Sequence, residues 1–305
     1  MVSCMLGEHP EAYGFPELNL FVAETIGSLL EYHRNLDRPR WDGLLRTLAQ
    51  LHEGLQTEDA IMNARVWLQN RKKWTTKALF DYLLEHVDPK MGVEKSPATV
   101  MQVQDLERAY RMYSKAHFLH LTRHPISAGK SIQNQLQIKA QAVKNKIDNL
   151  EKSSSENSDE DEPVEAIKRR FKLNVDKLID PHKIWLTAHQ NIVRFTDSLP
   201  PGQSMRIKGE DLLSDPDLYL PQISEWLGLS TDLPAIQSMK HPETSCYACF
   251  GPVGAKFGND YKFLEEPKLR VGKVKEPLIK DSKHLTPDQD LFDAVESLAN
   301  RFGYL

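Results

Sequence analysis

One stretch of the chain places an arginine, a proline and a serine in an order that could bind a phosphate group. Residues 118–131 read FLHLTRHPISAGKS. Arg123 ends a short apolar segment typical of a buried strand, Pro125 interrupts it, and Ser131 falls in the first turns of a predicted helix. The guanidinium and the hydroxyl could hold phosphate through charge-assisted hydrogen bonds. The alternatives are a structural ion pair for Arg123 and a helix-start hydrogen bond for Ser131.

Hydrophobic spacing predicts the elements that position this segment. Apolar residues at helical spacing, such as Leu44, Leu45 and Leu48, indicate helices. The predicted helices cover residues 41–86, 98–112, 127–150, 185–195 and 220–227, and Gly228 suits a helix end. The predicted strands cover residues 91–95, 117–123 and 204–208. A last helix is expected from a capping box that begins at Thr286 and has proline next to it.

The alternation of strands with helices predicts an α/β fold with a mainly parallel sheet, which binds ligands at the carboxyl ends of its strands. The length of 305 residues suits one large domain or two small ones, and we predict a single domain over residues 1–305. Within it, residues 152–163 contain SSSENSDEDE. Five carboxylates and almost no apolar residues predict a disordered acidic insertion. A phosphorylatable switch is the alternative for this segment.

Composition excludes several classes of protein. The net charge of −4 argues against a nucleic-acid partner by bulk charge. No apolar run reaches the ~18 residues of a membrane span, and the first residues do not match a signal peptide. Three cysteines, Cys4, Cys246 and Cys249, favour a reducing, cytoplasmic compartment over a disulfide framework. Cys246 and Cys249 are predicted to be semi-buried, and no metal site is expected because no second ligand pair has zinc spacing.

Six segments, in this order along the chain, resemble those of bacterial-type sulfotransferases that use 3′-phosphoadenosine 5′-phosphosulfate (PAPS). They read HPEAYGFPELNLF, GVEKSP, FLHLTRHPISAGKS, RIKGEDLLSDP, EWLGL and HPETSCYACFGPVGAKFGNDYKF. The resemblance covers nearly the whole chain. It implies a sulfotransferase-like, P-loop-type three-layer α/β fold with a parallel sheet, and PAPS as co-substrate without a metal.

The resemblance implies three catalytic residues. Glu17, in the F-P-E-L segment, matches the family's general base, and Lys95 matches a lysine that stabilises charge on the transferred group. His241 resembles a histidine that some bacterial members place at the active site, as a second base or acid. Without the resemblance, Glu17 is a carboxylate at a helix N-terminus, Lys95 pairs with Glu94 at the surface, and His241 is a surface loop residue.

The resemblance also implies the cofactor-binding residues. Arg123 and Ser131 match the motif that binds the 3′-phosphate. A glycine-rich loop would close over the nucleotide, because glycine permits close backbone approach and a lysine adds positive charge. The loop residues concerned are Phe250, Gly251, Gly254 and Lys256. An ordinary flexible loop is the alternative.

One part of the family pattern is missing. Relatives begin with a central strand and a P-[KR]-S-G-T-T loop that grips the 5′-phosphosulfate at a helix N-terminus. This sequence begins with MVSCML, which resembles the middle of the following helix. Removing a central strand would leave unpaired backbone groups on both neighbouring strands. We therefore expect that the true start lies upstream of Met1, or that the chain is a fragment or a pseudoenzyme that lacks the first strand.

The resemblance thus implies an enzyme, which the missing loop suggests is truncated, that transfers a sulfuryl group from PAPS to a small-molecule or polymer acceptor bearing a hydroxyl or amine. Neither the acceptor nor the oligomeric state is specified by these residues. The first alternative is a non-catalytic binding protein on the same fold. The second is a nucleotide kinase, which the absence of any G-x-x-x-x-G-K-[ST] motif disfavours.

Overall fold

Short strands and longer helices alternate along the chain. The computed structural model describes residues 1–34, 40–134, 180–272 and 288–304. Its strands are β1 (Ala12–Gly14), β2 (Met91–Val93), β3 (Phe118–Thr122) and β4 (Ser204–Lys208). Its helices are α1 (Val2–Gly7), α2 (Ile26–Arg34), α3 (Asp42–Glu53), α4 (Glu58–Gln69), α5 (Thr76–Glu85), α6 (Val103–Met112), α7 (from 125, described to 134), α8 (Pro181–Thr196), α9 (Gly209–Ser214), α10 (Pro216–Leu227), α11 (Leu233–Met239), α12 (Tyr261–Glu265) and α13 (Gln289–Arg301).

The strands form two small sheets within the described residues. β1 runs parallel to β2, with Ala12 opposite Met91 and Gly14 opposite Val93. β3 is hydrogen-bonded to β4. The α/β fold class is therefore confirmed. Two parallel strands end at the same edge of their sheet, so the residues that follow β1 and β2 are brought together.

The chain divides into two compact units, Met1–Leu121 with Asn191–Val274, and Thr122–Gln190 with Lys275–Leu305. The single-domain assignment of residues 1–305 stays a prediction. The first unit has a core that β1, the following segment and α2 to α5 share. Its largest fully buried apolar side chains include Phe15, Leu18, Leu20, Ile26, Leu29, Leu44, Leu45 and Leu48.

The helical region predicted over residues 41–86 is confirmed as three helices. Gly54, with φ of 69°, ends α3. The hydroxyl of Thr57 accepts a hydrogen bond from the Ala60 amide and begins α4. Thr75 begins α5 in the same way. Threonine at these two positions satisfies a backbone donor that the first helical turn leaves free.

The second unit has a small aromatic core. Trp185 on α8 lies edge-on to Phe302, with ring centroids 6.0 Å apart. His124 and Tyr304 make a similar contact at 5.2 Å. The last helix also buries Phe292, Val295 and Ala299, and Phe302 just after it is buried as well.

Several element boundaries differ from their predictions, among them the following three. Strand β2 ends at Val93 rather than 95, which leaves residues 94–96 in an irregular segment. Helix α7 begins at 125, two residues early, because proline suits the first helical position. Helix α13 is capped by Asp288, whose carboxylate accepts from the amides of Asp290 and Leu291.

Several predictions concern residues outside the described ranges. They are the first half of the predicted capping box at Thr286, the acidic insertion over residues 152–163, and the predicted helix beyond residue 134. Cys246 and Cys249 are exposed rather than semi-buried, while Cys4 is buried. Within the described residues, no helix has the length and apolar character needed to cross a membrane.

Candidate active site at the carboxyl ends of β1 and β2

The carboxyl ends of β1 and β2 bring together Glu17 and Lys95. Glu17 follows Gly14 by three residues, and Lys95 follows Val93 by two. The amide of Phe15 donates to the Val93 carbonyl at 2.8 Å, so the pairing continues just beyond β1. The parallel register therefore carries both side chains to one edge of the sheet, where ligands of parallel sheets usually bind.

Lys95 and Glu17 form an ion pair through Nζ and Oε1. Both side chains remain reachable from solvent, with exposed fractions of 41% for Lys95 and 25% for Glu17. The expected alternative, a surface pair of Lys95 with Glu94, is wrong, because the Lys95 ammonium bonds to Glu17. Glu17 also lies in an irregular segment rather than in the first turn of an α-helix.

The Glu94 side chain bonds to the segment that contains Glu17, but its environment differs from that of the Glu17 side chain. Its Oε1 accepts hydrogen bonds from the Ser96 hydroxyl and from the Leu18 amide, the latter at 3.3 Å. Burial raises the pKa of the Glu94 carboxyl to about 7, and these two donors and Lys95 only partly oppose that rise. Two neighbouring carboxyl groups thus differ in their surroundings.

The backbone of Glu17 is held by the C-terminal loop and by α3. Its amide donates to the carbonyl of Gly258 at 2.7 Å. A Cβ atom at Gly43, near the start of α3, would lie 2.3 Å from the Glu17 carbonyl oxygen. Gly258 has φ of 120° and a Cβ there would lie 2.9 Å from the Gly43 Cα. Only glycine fits such an approach of three backbones.

The glycine-rich loop packs against α4 in this structure. The Gly254 amide donates to both carboxylate oxygens of Glu58, at 3.0 and 3.1 Å. Gly251 lies against its own loop, since its amide donates to the Lys256 carbonyl at 2.9 Å. Lys256 is exposed, with Nζ 5.4 Å from the centre of the Phe250 ring. The nucleotide-covering role of Phe250, Gly251, Gly254 and Lys256 stays a prediction.

Arg46 on α3 was not identified from the sequence. Its side chain is fully buried and donates to the carbonyl of Phe257 at 2.9 Å and to Gln56 Oε1 at 2.5 Å. A third bond, 3.4 Å long, goes to the Cys246 carbonyl. Arg46 therefore bonds α3 to the segments just before and just after the glycine-rich loop. Its only sequence signal is a cation on the apolar face of a helix.

His241 lies in an exposed loop before a short 3-10 turn. Its Nδ1 is 2.9 Å from Oε1 of Glu243. A backbone hydrogen bond, and to a smaller extent His241, lowers the pKa of the Glu243 carboxyl. In the described part of the chain, no hydrogen bond links His241 to Glu17 or Lys95. A catalytic role for His241 stays a prediction.

Arg123 and Ser131 belong to the second unit. Arg123 directly follows β3, its side chain is exposed, and its carbonyl accepts from the Trp185 indole at 2.9 Å. His124 Nδ1 accepts from the Ile126 amide at 3.3 Å and supports the start of α7. Ser131 is half-buried in the second turn of α7. The structure keeps the predicted order of strand, arginine and helix, and the phosphate-binding role stays a prediction.

Within the described ranges, no three side chains of the metal-ligating types His, Cys, Asp or Glu are grouped so that they could hold a metal ion. The sulfuryl-transfer chemistry predicted above uses carboxylate, ammonium and guanidinium groups. Of these groups, the edge of β1 and β2 provides a carboxylate in Glu17 and an ammonium in Lys95.

Comparison with known proteins assigns the chain to a class. A family model described as the sulfotransferase family matches residues 1–160. The fold is similar to that of a sulfotransferase domain from the curacin biosynthetic pathway, with a TM-score of 0.68 and 20% identity over 100% of this chain and 93% of that one. A sulfotransferase domain from the Synechococcus PCC 7002 olefin synthase matches with a TM-score of 0.61 and 19% identity, over 98% and 89% of the two chains. No curated protein sequence matches.

The chain belongs to the sulfotransferase family, since the family model covers more than half of it. The two structural matches support the same fold. The family resemblance predicted from six short segments is therefore confirmed, and with it a transferase enzyme of this class.

Proposed function

We propose that this chain transfers a sulfuryl group from PAPS to a hydroxyl or amine acceptor, with Glu17 as the general base. The observation that carries the proposal is the accessible Lys95–Glu17 pair at the carboxyl edge of two parallel strands. The family membership supplies the reaction class. The identity of the donor and the type of acceptor are part of the proposal.

In the proposed reaction, the Glu17 carboxylate takes the proton from the acceptor hydroxyl or amine as its oxygen or nitrogen attacks the sulfur. The bond between sulfur and the bridging phosphate oxygen breaks, and adenosine 3′,5′-bisphosphate leaves with the electron pair. Lys95, which donates to Glu17 in this structure, would stabilise negative charge on the sulfuryl oxygens.

The donor would be held mainly through its 3′-phosphate. Arg123 lies immediately after β3 and Ser131 lies in the helix that follows. A guanidinium and a hydroxyl at such a junction suit a phosphate. The loop that contains Gly251 and Gly254 would contribute to the nucleotide site, and Lys256 would add positive charge. His241 would act as a second acid or base.

Calorimetric titration with adenosine 3′,5′-bisphosphate tests the donor site. We expect binding by the wild-type chain and a loss of affinity on the order of 10- to 100-fold in Arg123→Ala, because a hydrogen bond to a charged group contributes about 1.5–3 kcal/mol. Lys183→Ala removes an exposed cation from α8 in the same unit and is expected to bind like the wild type. Equal affinity in all three proteins would refute the proposed site.

A transfer assay tests the reaction itself. PAPS labelled in its sulfuryl group is incubated with the chain and with panels of hydroxyl and amine acceptors, and the labelled product is separated from the donor. Labelled acceptor, with release of adenosine 3′,5′-bisphosphate, supports the proposal. Binding of the nucleotide without transfer to any acceptor would favour the non-catalytic alternative.

A further inference from the structure

Residues 93–96 form four hydrogen bonds or ion pairs with residues 15–19. The Val93 carbonyl accepts from the Phe15 amide, and Lys95 pairs with Glu17. The Glu94 side chain accepts from the Leu18 amide, and the Ser96 hydroxyl accepts from the Asn19 amide at 2.7 Å. Two of these bonds therefore bind the backbone immediately after Glu17 through side chains that follow β2.

The bonds of Glu94 and Ser96 form one connected network. The Ser96 hydroxyl accepts from the Asn19 amide and donates to Glu94 Oε1, which also accepts from the Leu18 amide. Ser96 is 7% exposed and Asn19 is 2% exposed. A buried polar network in which each donor has its acceptor is rigid and costly to disrupt.

The backbone held by this network has an unusual conformation. Asn19 has a φ of 52°, in the left-handed region that most residues avoid, although asparagine tolerates it. Its side-chain amide donates to the Arg40 carbonyl at 2.9 Å. Such a conformation persists only where the surroundings stabilise it. Ser96 binds the backbone amide of Asn19, and the Arg40 carbonyl binds its side-chain amide.

Glu94 is itself unsuited to act as the base. Its Oε1 accepts from two donors that belong to the protein, whereas the Glu17 carboxylate is 25% exposed and bonds only to the partly exposed Lys95 ammonium among the described side chains. The two carboxyl groups therefore suit different roles: Glu17 suits proton transfer, and Glu94 suits binding of the backbone.

We propose that Glu94 and Ser96 are positioning residues, which fix the Glu17 carboxylate by binding the backbone amides of Leu18 and Asn19. This inference rests on the proposed role of Glu17 as general base. A general base has to lie within hydrogen-bond reach of the proton that it removes. A displacement of about 1 Å can lower a rate on the order of 100-fold, so loosening residues 18 and 19 lowers kcat.

Three variants separate this role from general stability. Glu94→Ala removes the acceptor for the Leu18 amide, and Glu94→Gln keeps an oxygen there but removes the charge. Ser96→Ala removes the acceptor for the Asn19 amide and the hydroxyl that donates to Glu94. The control, Glu11→Ala, breaks a comparable bond, in which a carboxylate accepts from the Ser230 amide at 2.7 Å, away from Glu17.

Hydrogen exchange at single amides, followed by NMR, is measured together with kcat and with the KM for the acceptor. We expect Glu94→Ala to lower exchange protection at Leu18, and Ser96→Ala to lower it at Asn19, each by tenfold or more. In both variants kcat falls on the order of 10- to 100-fold while KM changes little. Glu94→Gln recovers most of the lost kcat, and Glu11→Ala leaves kcat and protection at residues 18 and 19 unchanged.

The outcomes distinguish this inference from the proposed function. Unchanged protection at residues 18 and 19 in both Glu94→Ala and Ser96→Ala overturns the inference, whatever the activity. Lower protection with unchanged kcat overturns it as well, because the network would then be structural only. If the wild-type chain transfers no sulfuryl group although it binds the nucleotide, the proposed function fails, and the exchange data alone decide whether Glu94 and Ser96 hold this backbone.

Discussion

The two candidate regions of this molecule are organised in opposite ways. At the β1–β2 edge, Glu17, Lys95 and Glu94 bond through their side chains to one another or to neighbouring backbone. At the junction of β3 and α7, the backbone is fixed instead, by the Trp185 indole on the Arg123 carbonyl, while the Arg123 side chain is exposed. The first arrangement orders the Glu17 side chain through its ion pair before any ligand binds, and the second leaves the Arg123 guanidinium exposed to solvent.

This difference suits the roles proposed for the two regions. A base needs an accurate position before the reaction, because misplacement lowers the rate directly. A phosphate-binding arginine gains its energy on binding, so it needs only a backbone that presents it in the right direction. The predictions below test the two regions separately.

The largest effect is expected from Glu17→Gln. The amide cannot accept the proton, so kcat should fall by about 10²- to 10⁴-fold, the usual contribution of a general base. Affinity for adenosine 3′,5′-bisphosphate, measured by calorimetry, should stay unchanged. Asp217→Asn is the matched control, since it also loses a carboxylate paired with a lysine, Lys240. A kcat for Glu17→Gln equal to that of the control would eliminate Glu17 as the base.

A smaller effect is expected from Trp185→Phe in the second region. The variant loses the bond from the indole to the Arg123 carbonyl, which should cost about 1 kcal/mol in the free energy of unfolding. Nucleotide affinity should fall, but by less than in Arg123→Ala. Trp226→Phe loses a similar indole bond, to the Gly202 carbonyl at 2.7 Å, and should bind nucleotide normally. Equal affinities in the two tryptophan variants would show that the Trp185 bond does not position Arg123.

The last prediction concerns activity least and stability most, and it is a pH dependence of stability at Glu94. Its folded-state pKa of about 7 lies above the usual value of 4.5. The folded protein therefore binds more protons than the unfolded chain between these values, and its stability falls as pH rises through this window. The Glu94→Gln side chain does not titrate, so this dependence is absent in the variant. As pH rises through the window, the free energy of unfolding of the variant should therefore increase relative to that of the wild type by up to about 1.4 kcal/mol per pH unit. Urea titrations at several pH values from 4.5 to 8 measure the difference, and parallel curves would contradict it.

Much of the fold follows from short-range patterns. The strand at residues 204–208 has the predicted bounds, and α10 ends at Gly228 with a φ of 73°, as its sequence indicates. These features depend on neighbouring residues and on the freedom of glycine at positive φ. The cap of α13 was placed wrongly, because both Thr286 and Asp288 can start a helix.

The candidate site was only partly predictable. Glu17 and Lys95 were each identified from motifs, but their pairing was not, and Lys95 was expected to contact Glu94 if it had no catalytic role. The hydrogen bonds from the Leu18 and Asn19 amides to Glu94 and Ser96 were not predicted, although both acceptors lie in the quoted GVEKSP segment. Their partners are more than 70 positions away in sequence, and no local pattern specifies such a contact.

The sequence by itself determined the family, the alternation of strands and helices, and the residue types that the chemistry needs. Only the tertiary structure decided which carboxylate is accessible and which is held by backbone amides. The physical reason is that hydrogen bonding and burial, rather than residue type, set the role of a carboxyl group. The parallel register of β1 and β2 brings the segments together, and the bonds beyond the strand ends then give Glu17 and Glu94 their separate environments.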